Sequence, residues 1–227
     1  MSAGAMSQPA TVRSPGATLA ARVWKPSPEA SQPEDAPAVI LVHQWSILGG
    51  QAALMHGIAK EIVSRGHVAV TFDMRGVGES SGRRTFNGRE EIQDVEAVCE
   101  WAHDLLQKDL VLLGSSAGAP IAGSAIDSFP FIKAYVGIGY TFGFLSSLIF
   151  GFHYEKVYAS EKPKLFIMGT KDEFTSADQL TKACAKMKGV VKQKLFKGIG
   201  HFALEGPSYD ALMAQLTTDF IKTGVLA

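Results

Sequence analysis

A chain of 227 residues, 46% hydrophobic, is long enough to bury one substantial core, and its 22 basic residues balance 22 acidic ones. That balance excludes an electrostatic footprint for nucleic acid or for an anionic membrane. No apolar run reaches the length of a membrane span, and residues 1–10 have neither the basic region nor the apolar stretch of a secretory leader. No stable membrane insertion is expected, and a cytoplasmic location is the default.

Residues 1–11 are small and polar and read as a disordered tail, leaving 12–227 as a single domain. Leu19 to Trp24 looks like a short strand. Lys25 to Pro37, with Pro26, Pro28, Pro33 and Pro37, is a surface loop. Ala38-Val39-Ile40-Leu41-Val42-His43 is a β-branched apolar run of the kind buried on both faces. Helical periodicity then runs from Ala53 to Ser64 through Leu54, Ile58, Ile62 and Val63, with Gly66 as a stop.

His67 to Phe72 is the next strand, and Asp73-Met74-Arg75-Gly76-Val77-Gly78 closes it. This turn is no nucleotide fingerprint, because G-x-G-x-x-G fails at Ser81. Asp73 and Arg75 are expected to hold the loop against the His43 turn. Asn87 to Leu106 is a long amphipathic helix. Strands follow at 110–113, 133–138, 164–168 and 192–196, with helices at 117–128, 176–187 and 207–222. Strand and helix alternate almost throughout, which demands a mostly parallel, doubly wound α/β sheet of about seven or eight strands with helices on both faces. Cys99 and Cys184 form no C-x-x-C, sit on the apolar stripes of two of these helices and read as reduced, buried thiols. Neither a metal nor another cofactor is expected.

In such a sheet the active crevice lies at the carboxyl ends of the strands. The polar residues standing there are His43 and Gln44, Asp73 and Arg75, Ser116, Asp172 and His201. Gly114-Ser115-Ser116-Ala117-Gly118 follows the buried run Leu110 to Leu113 and has the spacing of a nucleophile elbow. A strand turning at once into a helix strains its hinge residue, and side chains two positions away would collide. A serine hydroxyl is a poor nucleophile until a base takes its proton, and a neutral imidazole suits that at pH 7. His201 ends the loop after the last strand; its other reading is a histidine capping the helix near Pro207. The imidazole needs a carboxylate to fix its tautomer. Asp172 is the candidate, with Glu173 as its rival.

These residues make the chain similar to the α/β-hydrolase superfamily, from about residue 19 to the end. The resemblance rests on Gly114 to Gly118, on Asp73-Met74-Arg75-Gly76-Val77-Gly78-Glu79-Ser80, on Gly169 to Asp172 and on Gly200-His201. Within the superfamily the chain resembles small, lid-poor hydrolases of the dienelactone-hydrolase and serine-aminopeptidase-like type. The resemblance implies Ser116 as nucleophile, His201 as base, Asp172 as its orienting acid and the Ala117 N–H as one oxyanion donor. Relatives show His-Gly before the second donor, whereas this chain has His43-Gln44-Trp45. Trp45 then takes the donor position, with Ser46 as the alternative, and Trp45 could equally be a pocket wall.

Tyr140 to Phe152 is aromatic and occupies the place where relatives carry a lid, but it is too short for a separate cap. It reads as a pocket wall or flap, or as a helix covering the core. Gln44, Phe142 and Phe144 are the candidates for substrate contact. The expected activity is hydrolysis of a small carboxylic ester, lactone or thioester through an acyl-Ser116 intermediate, by a monomer or homodimer acting on a small acyl substrate. The rivals are a hydrolase-like receptor or scaffold with negligible turnover, and a serine peptidase.

Overall fold

The computed structural model describes residues 6–27, 35–44, 49–142 and 153–224. Eight strands form one sheet in the order β1-β2-β4-β3-β5-β6-β7-β8. They are β1 (Met6–Ser14), β2 (Ala17–Lys25), β3 (Ala38–Val42), β4 (Ala69–Phe72), β5 (Leu110–Ser115), β6 (Ile132–Ile138), β7 (Lys164–Gly169) and β8 (Val191–Phe196). From β4 onward across the sheet every pairing is parallel, while β1 and β2 add an antiparallel hairpin at one edge.

The helices are α1 (His56–Ser64), α2 (Arg89–Leu106), α3 (Gly118–Ser124), α4 (Tyr154–Ala159), α5 (Ala177–Cys184), α6 (His201–Leu204) and α7 (Asp210–Gly224). Alternation along the central strands splits the core in two. Ile40, Val42, Leu110 and Leu112 face the layer of α2, α3 and α5, where they meet Val95, Val98, Ile121 and Leu180. Val39, Leu41, Val111 and Leu113 face the other layer, against Ile58 and Ile62 of α1 and Met213 and Ile221 of α7. All eight of these strand residues are fully buried, which is why both faces of the strands had to be apolar.

The expected α/β architecture is present, with local corrections. Residues 6–11, read from composition as part of a frayed tail, belong to β1, which pairs with β2 from Met6↔Lys25 to Ser14↔Ala17. The strand is held by its partner's backbone, so its own side chains can stay small and polar. The helix after the elbow ends at Ser124 rather than at residue 128. The segments forming α4 and α6 are too short for a periodicity to show.

Arg75 does stabilise its loop, but not by the partners expected. Its Nε and Nη2 donate to Asp94 Oδ2 and Oδ1 of α2 at 3.0 and 2.7 Å, and Nη1 pairs with Glu90. Nη2 also reaches the Pro15 carbonyl at 3.1 Å. The guanidinium thus ties the β4 loop to α2 and to the β1–β2 turn. Contact with the His43 turn comes from the neighbouring residue, whose Met74 N–H donates to His43 Nε2 at 3.1 Å. Asp73 Oδ1 accepts the Ala52 N–H at 2.7 Å.

Both cysteines are free; Cys99 lies in the core and Cys184 is half-buried. Burial pushes the Cys184 thiol up to about 11 and that of Cys99 further still, so neither is a thiolate near neutral pH. Among the described residues no helix is long and apolar enough to cross a membrane.

Candidate active site

Ser116 sits at the carboxyl end of β5 with φ of 53°, in the left-handed region that a non-glycine residue adopts only when its surroundings force it. The flanking glycines show what forces it. A Cβ on Gly114 would lie 2.6 Å from Ala119 Cα, and one on Gly118 would lie 1.9 Å from the His43 carbonyl oxygen. The elbow therefore closes only with hydrogen at both positions, and Gly118 lets the turn after β3 rest directly on the start of α3.

The serine hydroxyl donates to His201 Nε2 at 2.7 Å, and His201 Nδ1–H donates to Asp172 Oδ2 at 2.6 Å. Three turns, after β5, β7 and β8, thus bring together the three residues the sequence singled out. Asp172 is oriented in turn: its Oδ1 accepts the N–H groups of Phe174 and Thr175, each at 2.9 Å. The His201 and Asp172 side chains are both inaccessible to solvent, while Ser116 stays partly exposed. Glu173, the rival acid, bonds elsewhere, taking the backbone N–H of His201 at 3.0 Å. The ring and the main chain of one residue are held by adjacent acids. His201 opens the short helix α6, so it does not cap the helix near Pro207.

Directly after the serine, the Ala117 N–H makes no backbone hydrogen bond among the described residues. The turn carrying the second expected donor is built on His43. Its Nδ1–H donates to the Gln44 carbonyl at 2.6 Å while Nε2 accepts from Met74, and burial lowers its pKa, so the ring stays neutral. Trp45, Ser46 and Phe144 lie outside the described residues. Gln44 is buried, and its side-chain amide faces Glu205. Phe142 is half-buried and stacks on Tyr140 at 4.1 Å between ring centroids, within a cluster that includes Tyr154 and Phe166. Its ring is engaged in packing.

Sequence reasoning missed three residues here. Phe174 and Phe202 flank the imidazole, with centroids 4.7 and 5.3 Å from that of His201, and both rings are substantially exposed. Glu205, one helical turn after His201, places Oε1 3.8 Å from Nε2. The i,i+4 spacing is a readable signal once 201–205 is known to be helical. A surface cavity of about 490 Å3, lined by Arg22, Gln51, His56 and Asp73 among others, includes none of Ser116, Asp172 and His201. Among the described residues no cluster of His, Cys, Asp and Glu could hold a metal ion.

A parallel sheet with helices on both faces and a Ser-His-Asp cluster at its carboxyl edge defines the class: an α/β hydrolase. The family model for X-Pro dipeptidyl-peptidase (S15 family) matches residues 15–219, and the chain belongs to that family. No curated protein sequence matches it. Similar solved structures include an α/β serine hydrolase without a lid from Xanthomonas campestris, with 21% identity and a TM-score of 0.78 over 97% of this chain and 96% of that one. An α/β serine hydrolase homologue from Coxiella burnetii is 21% identical, with a TM-score of 0.77 over 93% of this chain and 96% of its own. An esterase from Pyrococcus furiosus reaches a TM-score of 0.78 at 16% identity, over 97% of this chain and 94% of its own. At these identities the likeness is one of fold.

Proposed function

We propose that the protein hydrolyses a small carboxylic ester, lactone or thioester through an acyl-Ser116 intermediate. One observation carries the proposal: the unbroken hydrogen-bond chain from the Ser116 hydroxyl through both nitrogens of His201 to Asp172. In the first half-reaction Ser116 Oγ attacks the carbonyl carbon as its proton passes to Nε2. The tetrahedral oxyanion takes the Ala117 N–H, and collapse expels the alcohol or thiol with the proton from Nε2. In the second half, water gives a proton to Nε2, attacks the acyl carbon, and Ser116 recovers its proton as the acid leaves. Asp172 fixes the ring's tautomer and stabilises the imidazolium in both halves.

Phe174 and Phe202 shape the substrate preference under this reading. Two exposed rings beside the base offer a contact for an apolar alkyl or aryl group. Phe202→Ala is expected to raise KM for an aromatic or medium-chain ester about 2- to 10-fold with little change in kcat, the size of one aromatic contact. Steady-state kinetics on graded p-nitrophenyl esters check this, and a fall confined to kcat would count against it.

A peptidase is the second reading, favoured by the description of the family to which the chain belongs. An amide needs the same three residues but a fully protonated amine leaving group, so the two readings separate by substrate. The test has two parts. A fluorophosphonate should label Ser116, and p-nitrophenyl esters should turn over faster than X-Pro-p-nitroanilides. Preference for the anilide would shift the assignment to peptidase. A single burst without steady-state turnover on either substrate would point to a receptor.

A further inference from the structure

We propose that Glu205 is a positioning residue for the base, a second carboxylate that acts on the Nε2 side of His201 and stabilises its imidazolium during acyl transfer. The proposal rests on the acyl-transfer reading above. Asp172 holds Nδ1; on the other side of the ring, among the described residues, Nε2 has Ser116 Oγ at 2.7 Å and Glu205 Oε1 at 3.8 Å. Glu205 is held there from two elements. The Ser115 hydroxyl at the end of β5 donates to Oε1 at 3.1 Å, and α6 fixes its backbone one turn from the imidazole, while the Gln44 amide faces it from the turn after β3.

This arrangement is not what packing alone would select. The Glu205 side chain is only 14% exposed, and the Oε1 of the Gln44 amide that faces it is buried without a partner among the described residues. An orphaned buried carbonyl beside a buried carboxylate is destabilising, the kind of cost that is retained at functional sites. The charged and titratable groups that face Glu205 are His201 on its own helix and Asp172 from the loop after β7. Burial raises the carboxyl pKa above its ordinary value, while His201, the Ser115 hydroxyl and the Gln44 amide pull it back.

No bond to Glu205 forms or breaks. When the Ser116 proton moves to Nε2, a positive charge appears about 4 Å from this carboxylate, which favours the charged ring. The sign follows directly. An ionised Glu205 at this distance favours the imidazolium, so removing its charge is expected to move the acid limb of kcat/KM to lower pH and to weaken the transition state.

The experiment is a titration of the His201 imidazole by NMR in the wild type, in Glu205→Gln and in Glu205→Asp, with kcat/KM for p-nitrophenyl acetate measured against pH. Glu205→Gln keeps an acceptor for Ser115 and should lower the His201 pKa and the acid limb together by about one unit. Its plateau rate should fall about tenfold, the kinetic equivalent of one such unit. Glu205→Asp should keep the titration close to wild type. A lower plateau with an unmoved His201 titration would make Glu205 a structural support and overturn the proposal. Should Glu205→Gln not fold, the wild-type titration decides, because an ionising Glu205 must appear as a second inflection in the His201 shifts. Its absence overturns the proposal. A shifted titration in a protein that turns over no ester would sustain the charge coupling and count against acyl transfer.

Discussion

Ser116→Ala is expected to lower kcat/KM for a p-nitrophenyl ester by a factor on the order of 10⁵ to 10⁶ and to abolish fluorophosphonate labelling. Alanine removes only the oxygen that hydrogen-bonds to His201, leaving the turn, the Ala117 N–H and the imidazole–carboxylate pair in place. What survives should be the small contribution of binding and oxyanion stabilisation. An unchanged melting temperature, checked by circular dichroism, separates lost chemistry from lost fold. Labelling of the alanine variant at the same site, or turnover within tenfold of wild type, would remove Ser116 from the reaction.

The second large effect concerns stability. Arg75→Met should destabilise the fold by about 3–5 kcal/mol, the range for stranding one member of a buried ion pair. Asp94 is fully buried and takes both Nε and Nη2 of Arg75, so methionine would leave its charge unmatched beneath the β1–β2 turn. The exposed partner, Glu90, should matter far less. Urea unfolding gives the number directly. In a cycle with Asp94→Leu the double variant should be clearly more stable than the sum of the two single losses implies. Strict additivity would show that Arg75 and Asp94 do not act as a unit.

The parts of the fold legible in the sequence were those that depend on local pattern. Val39 to Val42 and Leu110 to Leu113 are apolar at every position because both faces of a central parallel strand are covered. Ser116, Asp172 and His201 could be singled out because each stands just past such a strand, with glycines marking the bend. Pairings between distant segments were not legible. β1 is held by its register with β2 rather than by its own hydrophobicity, and Arg75 finds Asp94 across a loop whose path no spacing reveals. Gln44 follows a strand and so stands at the crevice, but no spacing reveals that its amide faces Glu205, which lies near the opposite end of the chain. The packing of Phe142 was not legible either: its place in the lid region says nothing of the Tyr140 ring on which it stacks.

The backbone at Ser116 carries a further consequence. With φ of 53°, Ser116 sits in a conformation that glycine would adopt more comfortably, so the molecule holds conformational free energy at the proposed nucleophile. Durability and reactivity are therefore opposed at this single position. Relieving that strain with glycine would give up the hydroxyl, so any gain in durability there would come at the expense of the proposed chemistry.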